Sequence, residues 1–155
     1  MKREIKFRGK RLDNGEWVFG DLIHGCATYI RDDPYWFASN NTLHLPAYPI
    51  DPDTVGQFTG LLDKKGKEIY EGDVLQTPHY IMGKEIDKES GTVVFKNGCF
   101  GIERGRDFVC LIELRVPTKY EYVCNVGEVA IEWEHPFEVI GTVHDQKEED
   151  HDLQA

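Results

Sequence analysis

The most informative absences in this chain of 155 residues concern catalytic motifs and long apolar runs. Serine occurs only at Ser39 and Ser90, and neither stands in the GxSxG motif that presents the nucleophile of serine hydrolases. The four cysteines form no CxxC pair, and the six histidines form no HExxH motif, so no common metal-ligand spacing is present. No GK[ST] sequence opens a helix after a glycine loop, which excludes a Walker phosphate loop. The composition therefore favours a protein without the familiar catalytic signatures, and we assign no catalytic residue and no cofactor.

Two further absences concern the cellular compartment. No apolar run approaches the roughly 20 residues that a membrane helix requires. The start, MKREIKF, lacks the apolar segment of a secretion signal, so free thiols in a cytosol are expected. Cys99 follows an Asn-Gly turn and Cys110 lies in an apolar segment, which indicates packing rather than nucleophilic catalysis for both.

Charge is present in quantity but is distributed unevenly. The formal net charge of -10 makes the whole molecule repel phosphate backbones and anionic membranes, so any nucleic-acid contact requires a local patch. Residues 1–11 carry six basic side chains and one acidic side chain, a balance of +5, whereas residues 121–155 carry ten acidic side chains and one lysine. The N-terminal segment is the candidate patch, and residues 146–155 are expected to form an acidic, disordered tail.

Short strands separated by glycine turns dominate the pattern, and helical periodicity is almost absent. The segments IKFRGKRL and EWVFGDLI are predicted to pair around a type I′ turn at Asn14-Gly15, and Asn97-Gly98 carries the same hairpin signal. In FTGLLDKKGKEIY we expect Asp63 to cap a turn and Gly66 to take the left-handed conformation. Gly72 should turn the chain again in the segment EGD, with the flanking carboxylates facing water.

These patterns predict a mainly β protein built from two small β lobes with little helix. The N-terminal lobe is expected to span residues 1–62, with a proline-rich loop at about 29–53 that contains one or two edge strands at most. The C-terminal lobe, residues 63–145, has the strand number of a small, strongly bent β-barrel of the SH3-like or a similar type. One of its strands is predicted at 108–116, and another at 120–126.

Five blocks in order carry a family resemblance: REIKFRGK, WVFGDLI, TVGQFTGLLDKKGKEIYEGDVL, GTVVF and FEVIGTVHD. Their order and spacing resemble the YopX-like family of phage and prophage proteins. The resemblance implies a mainly β fold and an origin in bacteriophages or integrated prophages. It implies no established biochemical activity, so the function has to be sought in the residues themselves.

The N-terminal basic strand is the first candidate site, because Lys2, Lys6 and Arg8 alternate with Ile5 and Phe7. Alternate residues of a strand share one face, so these three cations could follow a phosphate backbone along a curved β-sheet. The alternative is an ordinary solvated face that protects an edge strand from aggregation.

The second candidate is a protein-contact site at Tyr35, Trp36 and Phe37 in the sequence PYWF. Three adjacent rings cannot all point into one core, so at least one is expected near the surface. An oligomer interface or a contact with a host or phage protein would bury it. The alternative is a loop that folds over the end of the barrel.

The third candidate is a pair of turn carboxylates, Glu71 and Asp73, which are weak candidates for magnesium ligands because Gly72 between them tends to splay them apart. The sequence thus favours a non-catalytic binding or regulatory module for nucleic acid or for a host or phage protein. The alternative is a metal-assisted hydrolase that uses these carboxylates.

Overall fold

The computed structural model describes residues 4–25, 27–31, 47–81, 84–114, 116–123 and 127–145. Within these ranges the secondary structure is almost entirely extended, which confirms the predicted mainly β class with little helix. The strands are β1 (Phe7–Lys10), β2 (Trp17–His24), β3 (Thr28–Arg31), β4 (Ala47–Pro49), β5 (Gly56–Leu62), β6 (Glu68–Tyr70), β7 (Asp73–Ile81), β8 (Lys84–Lys96), β9 (Cys99–Arg104), β10 (Asp107–Cys110), β11 (Val116–Val123), β12 (Gly127–Glu134) and β13 (Glu138–Thr142). Two short 3₁₀ turns also occur: Pro52–Thr54 lies between β4 and β5, and Leu111–Glu113 lies between β10 and β11.

The chain divides into two compact units, residues 1–60 and residues 61–155. No helix in the described part of the chain has the length and apolar character that crossing a membrane requires.

In the first unit the strand order is β4-β3-β2-β1-β5, with antiparallel neighbours. Strand β1 therefore lies inside the sheet, between β2 and β5, and the expectation that it is an edge strand is wrong. Ile30 and Ile50 form the buried centre of this unit. Gly9 lets the Ile50 side chain pack against β1, since a Cβ added at position 9 would lie 2.5 Å from that side chain.

The described ends of the proline-rich segment, 29–31 and 47–53, lie in strands β3 and β4 and in the turn that follows β4. Strand β3 pairs with β4, which ends the strand order and is an edge strand as expected. Pro49 is tolerated in β4 because an edge strand has one side on which no backbone N–H is needed. Residues 32–46 lie outside the described residues.

The first hairpin turn differs from the predicted type I′ geometry. The Arg11 N–H donates to the Glu16 carbonyl over 2.9 Å, so the loop comprises the four residues between them. Gly15 has a φ of +71°, but Asn14 does not share a positive φ. The Asn14 side chain instead accepts a hydrogen bond from the Glu16 N–H at 3.0 Å, and this contact favours the longer loop.

The second Asn-Gly signal is confirmed. Asn97 and Gly98 have φ values of +54° and +82°, and Lys96 pairs with Cys99 across a two-residue turn. Both central residues thus adopt the positive φ values of a type I′ hairpin.

In the second unit five strands follow the order β10-β9-β8-β7-β13, and β11 and β12 form a separate hairpin. The core of this unit is formed by residues of β6 to β9, of the turn Leu111–Glu113 and of the segment before β13: Ile69, Leu75, Val93, Phe100, Ile102, Leu111 and Phe137. Strands β10 and β13 terminate the five-strand order, and the described strands form no closed barrel, so the predicted barrel is not confirmed. The strand predicted at 108–116 is interrupted, because β10 ends at Cys110 and the turn Leu111–Glu113 places Leu111 in the core.

The turn between β5 and β6 has the side-chain cap and the left-handed glycine that the sequence predicts. Asp63 is 6% exposed, and its Oδ1 accepts hydrogen bonds from the backbone N–H groups of Lys65 at 2.8 Å and Lys67 at 2.9 Å. Gly66 has a φ of +81°, the left-handed conformation expected for it. The other carboxylate oxygen of Asp63 accepts from the Val139 N–H at 3.1 Å, so this turn also anchors the beginning of β13.

Candidate nucleic-acid interface

The pairing of β1 with β2 brings basic and aromatic side chains onto one face of the first sheet. Arg8 lies opposite Phe19, and Lys10 lies opposite Trp17. Directly opposed residues of antiparallel strands project to the same side, and alternate residues of each strand share that side. Lys6, Arg8 and Lys10 therefore share a face with Trp17 and Phe19, which we call the basic-aromatic face.

Each cation of the basic-aromatic face lies over an aromatic ring. The Arg8 Cζ is 4.6 Å from the centre of the Trp17 ring, and the Lys10 Nζ is 5.5 Å from the same centre. The Lys6 Nζ is 5.9 Å from the centre of the Phe19 ring. Such contacts are each worth about 0.5–1 kcal/mol at exposed positions and about 2 kcal/mol when desolvated. The cations thus help to fix the orientation of both rings.

Accessibility separates these residues into two groups. Phe19 is 40% exposed, and Lys6, Lys10 and Trp17 are half-buried, whereas Arg8 is only 6% exposed. Arg8 therefore supports Trp17 from the sheet, and the idea that it belongs to a solvated polar face is wrong. The Trp17 ring contributes to this burial, since it lies over the guanidinium group of Arg8.

A shallow groove of about 320 Å³ adjoins Phe19 at the start of β1. Lys6 and Ile5 line it from the segment before β1, and Arg31 lines it from β3. Arg31 is paired with Asp21, with 2.6 Å between Nη2 and Oδ2. The groove combines the exposed Phe19 ring with two basic side chains, Lys6 and Arg31, but Glu4 and Asp21 also line it, so the lining has no net charge.

Two of the predicted sites fall outside the described part of the chain. Lys2 precedes the first described residue, and Tyr35, Trp36 and Phe37 lie within residues 32–46. Their roles in phosphate contact and in protein contact stay predictions.

One of the two turn carboxylates, that of Asp73, stabilises the local fold. Asp73 is 1% exposed, and its Oδ2 accepts a hydrogen bond from the Tyr70 N–H at 2.8 Å. The expectation that both carboxylates face water is therefore wrong for Asp73, which closes the turn that Gly72 makes with a φ of +84°. Within the described ranges no group of three or more His, Cys, Asp or Glu side chains could hold a metal ion.

A family model described as YopX protein matches residues 6–148 of this chain. The chain belongs to the YopX family. No curated protein and no solved structure matches it. The match includes β1 and β2 and therefore the whole basic-aromatic face of this YopX family member.

The sequence analysis singled out Lys6 and Arg8 of the basic-aromatic face but did not include the aromatic side chains of β2 that lie beside them. Trp17 and Phe19 alternate in the segment EWVFGDLI, so a period of two marks them as sharing one face of β2. The pairing register decides that this face is the one that carries Lys6 and Lys10.

Proposed function

We propose that this YopX family member is a non-catalytic binding protein of phage or prophage origin, which acts in the cytoplasm of a bacterial host and binds single-stranded nucleic acid through the basic-aromatic face. The observation that supports the proposal is the exposed Phe19 ring beside Lys6 on the same sheet face as Trp17 and Lys10. Single strands are bound by aromatic side chains on which bases stack and by cations that follow the backbone.

The accessible side chains favour single strands over duplexes. Bases in a duplex cover each other's faces, so Phe19 would find a stacking partner only in an unpaired strand. The net charge of -10 opposes binding to duplex DNA over a large contact surface, because an acidic protein repels the phosphates. A short site with two lysines and two rings is compatible with that charge because it needs only a local positive potential.

The test measures fluorescence anisotropy of labelled single-stranded DNA, single-stranded RNA and duplex DNA with the purified protein at about 50 and 200 mM salt. If Lys6 and Lys10 each neutralise one phosphate of a single strand, affinity should fall about 7-fold between those salts, because the slope is about -0.7 per phosphate. Binding that is absent at the lower salt would refute the proposal.

Three variants assign the binding to this face. Phe19→Ala should weaken binding by about 5-fold to 150-fold, since stacking of one base is worth about 1–3 kcal/mol. Lys6→Ala should reduce the salt slope by about 0.7. The matched control is Lys88→Ala, which removes an exposed lysine of β8 and should leave affinity and slope unchanged. Equal losses in Lys88→Ala and Lys6→Ala would show that binding follows net charge alone.

Arg8 has a different expected role because it is nearly buried against Trp17. Arg8→Lys keeps the charge but loses the planar group that stacks on the indole, so it should lower thermal stability and leave the salt slope unchanged. A slope reduced by about 0.7 in Arg8→Gln, with unaltered stability, would instead make Arg8 a phosphate contact.

The hydrolase alternative has less support, since Asp73 is committed to the backbone of Tyr70. A protein partner at Tyr35, Trp36 and Phe37 is the alternative if no nucleic acid binds. In that case Trp36→Ala should change the oligomeric state or the proteins captured from infected cells.

A further inference from the structure

Strand pairing brings two cysteines together in the second unit. Cys110, the last residue of β10, lies opposite Gly101 of β9. Cys99 stands two residues before Gly101 on the same strand and hence on the same face. The two cysteines are diagonal neighbours across adjacent strands, and Gly101 has no side chain to separate them.

The two cysteines are neighbours on that face by strand register, and both are half-buried. A hydrogen bond with the Cys110 thiol raises the pKa of Cys99, and partial burial and the charge of Glu113 raise it further. The remaining sulfur contacts are weak: Cys99 Sγ donates to the Lys96 carbonyl over 3.6 Å, and Cys110 Sγ donates to the Phe100 carbonyl over 3.5 Å. Both cysteines are free thiols.

We propose that Cys99 and Cys110 form a reversible dithiol site, which a low-molecular-weight disulfide such as oxidised glutathione converts to an intramolecular disulfide. One thiolate attacks the small disulfide and releases one small thiol, leaving a mixed disulfide on the protein. The second thiolate then attacks that mixed disulfide and releases the second small thiol. The protein thereby loses two electrons and two protons, and the small disulfide is reduced to two thiols.

Bridging requires a small local movement. Diagonal cross-strand neighbours are about 7–8 Å apart, whereas the Cα atoms of a disulfide are about 4.4–6.8 Å apart. Cys110 ends β10, and the chain continues into the turn Leu111–Glu113 without further pairing to β9. The end of β10 can therefore approach β9 while the rest of the ladder stays paired.

The experiment uses the full natural chain and peptide mapping. Folded protein is treated with oxidised glutathione at about pH 8.5, because thiol–disulfide exchange proceeds through thiolates. Free thiols are then alkylated and the chain is digested with trypsin. Cleavage after Lys96, Arg104, Arg106 and Arg115 places the two cysteines on separate peptides, 97–104 and 107–115.

The expected result is a disulfide that joins peptide 97–104 to peptide 107–115, a product about 2 Da lighter than the sum of the two free peptides, which dithiothreitol separates. The proposal is overturned if both peptides are recovered alkylated, if each carries its own glutathione, or if either is joined to Cys26 or Cys124. The same treatment in concentrated urea should give mixed pairings, because the folded strands alone hold these two thiols together.

Two single variants provide the matched control. Cys99→Ser and Cys110→Ser should each retain a glutathione mixed disulfide on the remaining cysteine, since no neighbouring thiol can displace it. If the remaining cysteine stays unmodified in both variants, its thiol is inaccessible and the proposed route is wrong.

Discussion

Replacement of Asp63 by alanine should be among the most destabilising single changes in this protein. The carboxylate accepts three backbone hydrogen bonds, from Lys65, Lys67 and Val139. Two of them close the turn between β5 and β6, and the third attaches β13 to that turn. Alanine would remove all three acceptors while leaving the donors in place.

The magnitude follows from those contacts. Hydrogen bonds to a charged group contribute about 1.5–3 kcal/mol each when buried. Lys65 and Lys67 are exposed, so water can partly satisfy their N–H groups after the substitution. Counting about 1–1.5 kcal/mol for each of the three bonds gives a loss of about 3–5 kcal/mol for Asp63→Ala. Asp63→Asn keeps one acceptor oxygen for the turn but presents an NH₂ group to the Val139 N–H, so about 1.5–3 kcal/mol is expected.

The dependence on pH has a definite sign. Burial acts to raise the pKa of Asp63, but the N–H donors of Lys67, Val139 and Lys65 together lower it below the ordinary value of 3.8. A depressed pKa contributes stability that is fully present above the unfolded value and is lost as the pH falls through the folded value. The difference between wild type and Asp63→Asn should therefore be largest near pH 7 and should shrink below about pH 4.

Urea denaturation followed by circular dichroism and fluorescence measures these differences. With a slope of about 2 kcal/mol per molar urea, Asp63→Ala should lower the midpoint by about 1.5–2.5 M. Asp107→Ala, which removes an exposed aspartate of β10, is the control and should change the midpoint little. Equal midpoints for the two alanine variants at pH 7 would refute the anchoring role of Asp63.

Two further predictions concern β8 and the start of β13. Gly91→Ala should lower the melting temperature by about 3–10 °C, since overpacking costs about 1–3 kcal/mol. The reason is that the added Cβ would lie 2.8 Å from the Glu103 carbonyl oxygen. An unchanged melting temperature would contradict this prediction. Ion pairs with Lys64 and Lys65 lower the pKa of Glu138 to about 2. Glu138→Gln should therefore lower stability at pH 7 and much less at pH 2, where the pH has reached the folded-state pKa, and an equal loss at both pH values would contradict the ion-pair account.

Local chemistry made several features predictable. The turn at Asp63 and Gly66, the bend at Gly72 and the hairpin at Asn97-Gly98 depend on residues a few positions apart. A side-chain acceptor and a glycine that tolerates positive φ are sufficient for each of them. The mainly β class follows from the same local signals repeated along the chain.

The same local signals failed where a competing contact was present. Asn14-Gly15 matched the type I′ pattern, but the Asn14 side chain bonds to the Glu16 N–H and the loop takes four residues. The local sequence is compatible with both a two-residue turn and a four-residue loop, and the pairing of the flanking strands selects between them.

What the sequence determined by itself is the class of structure, the family, most turns and the alternation of cations along β1. What only the tertiary structure decided is which of those side chains are accessible and which are neighbours. Arg8 is buried against Trp17 through the β1–β2 register, Asp73 is buried where it accepts the Tyr70 N–H, and Cys99 becomes a neighbour of Cys110 through the β9–β10 register. Strand order and register arise from packing between distant segments, and a local pattern of residues carries no information about that partner.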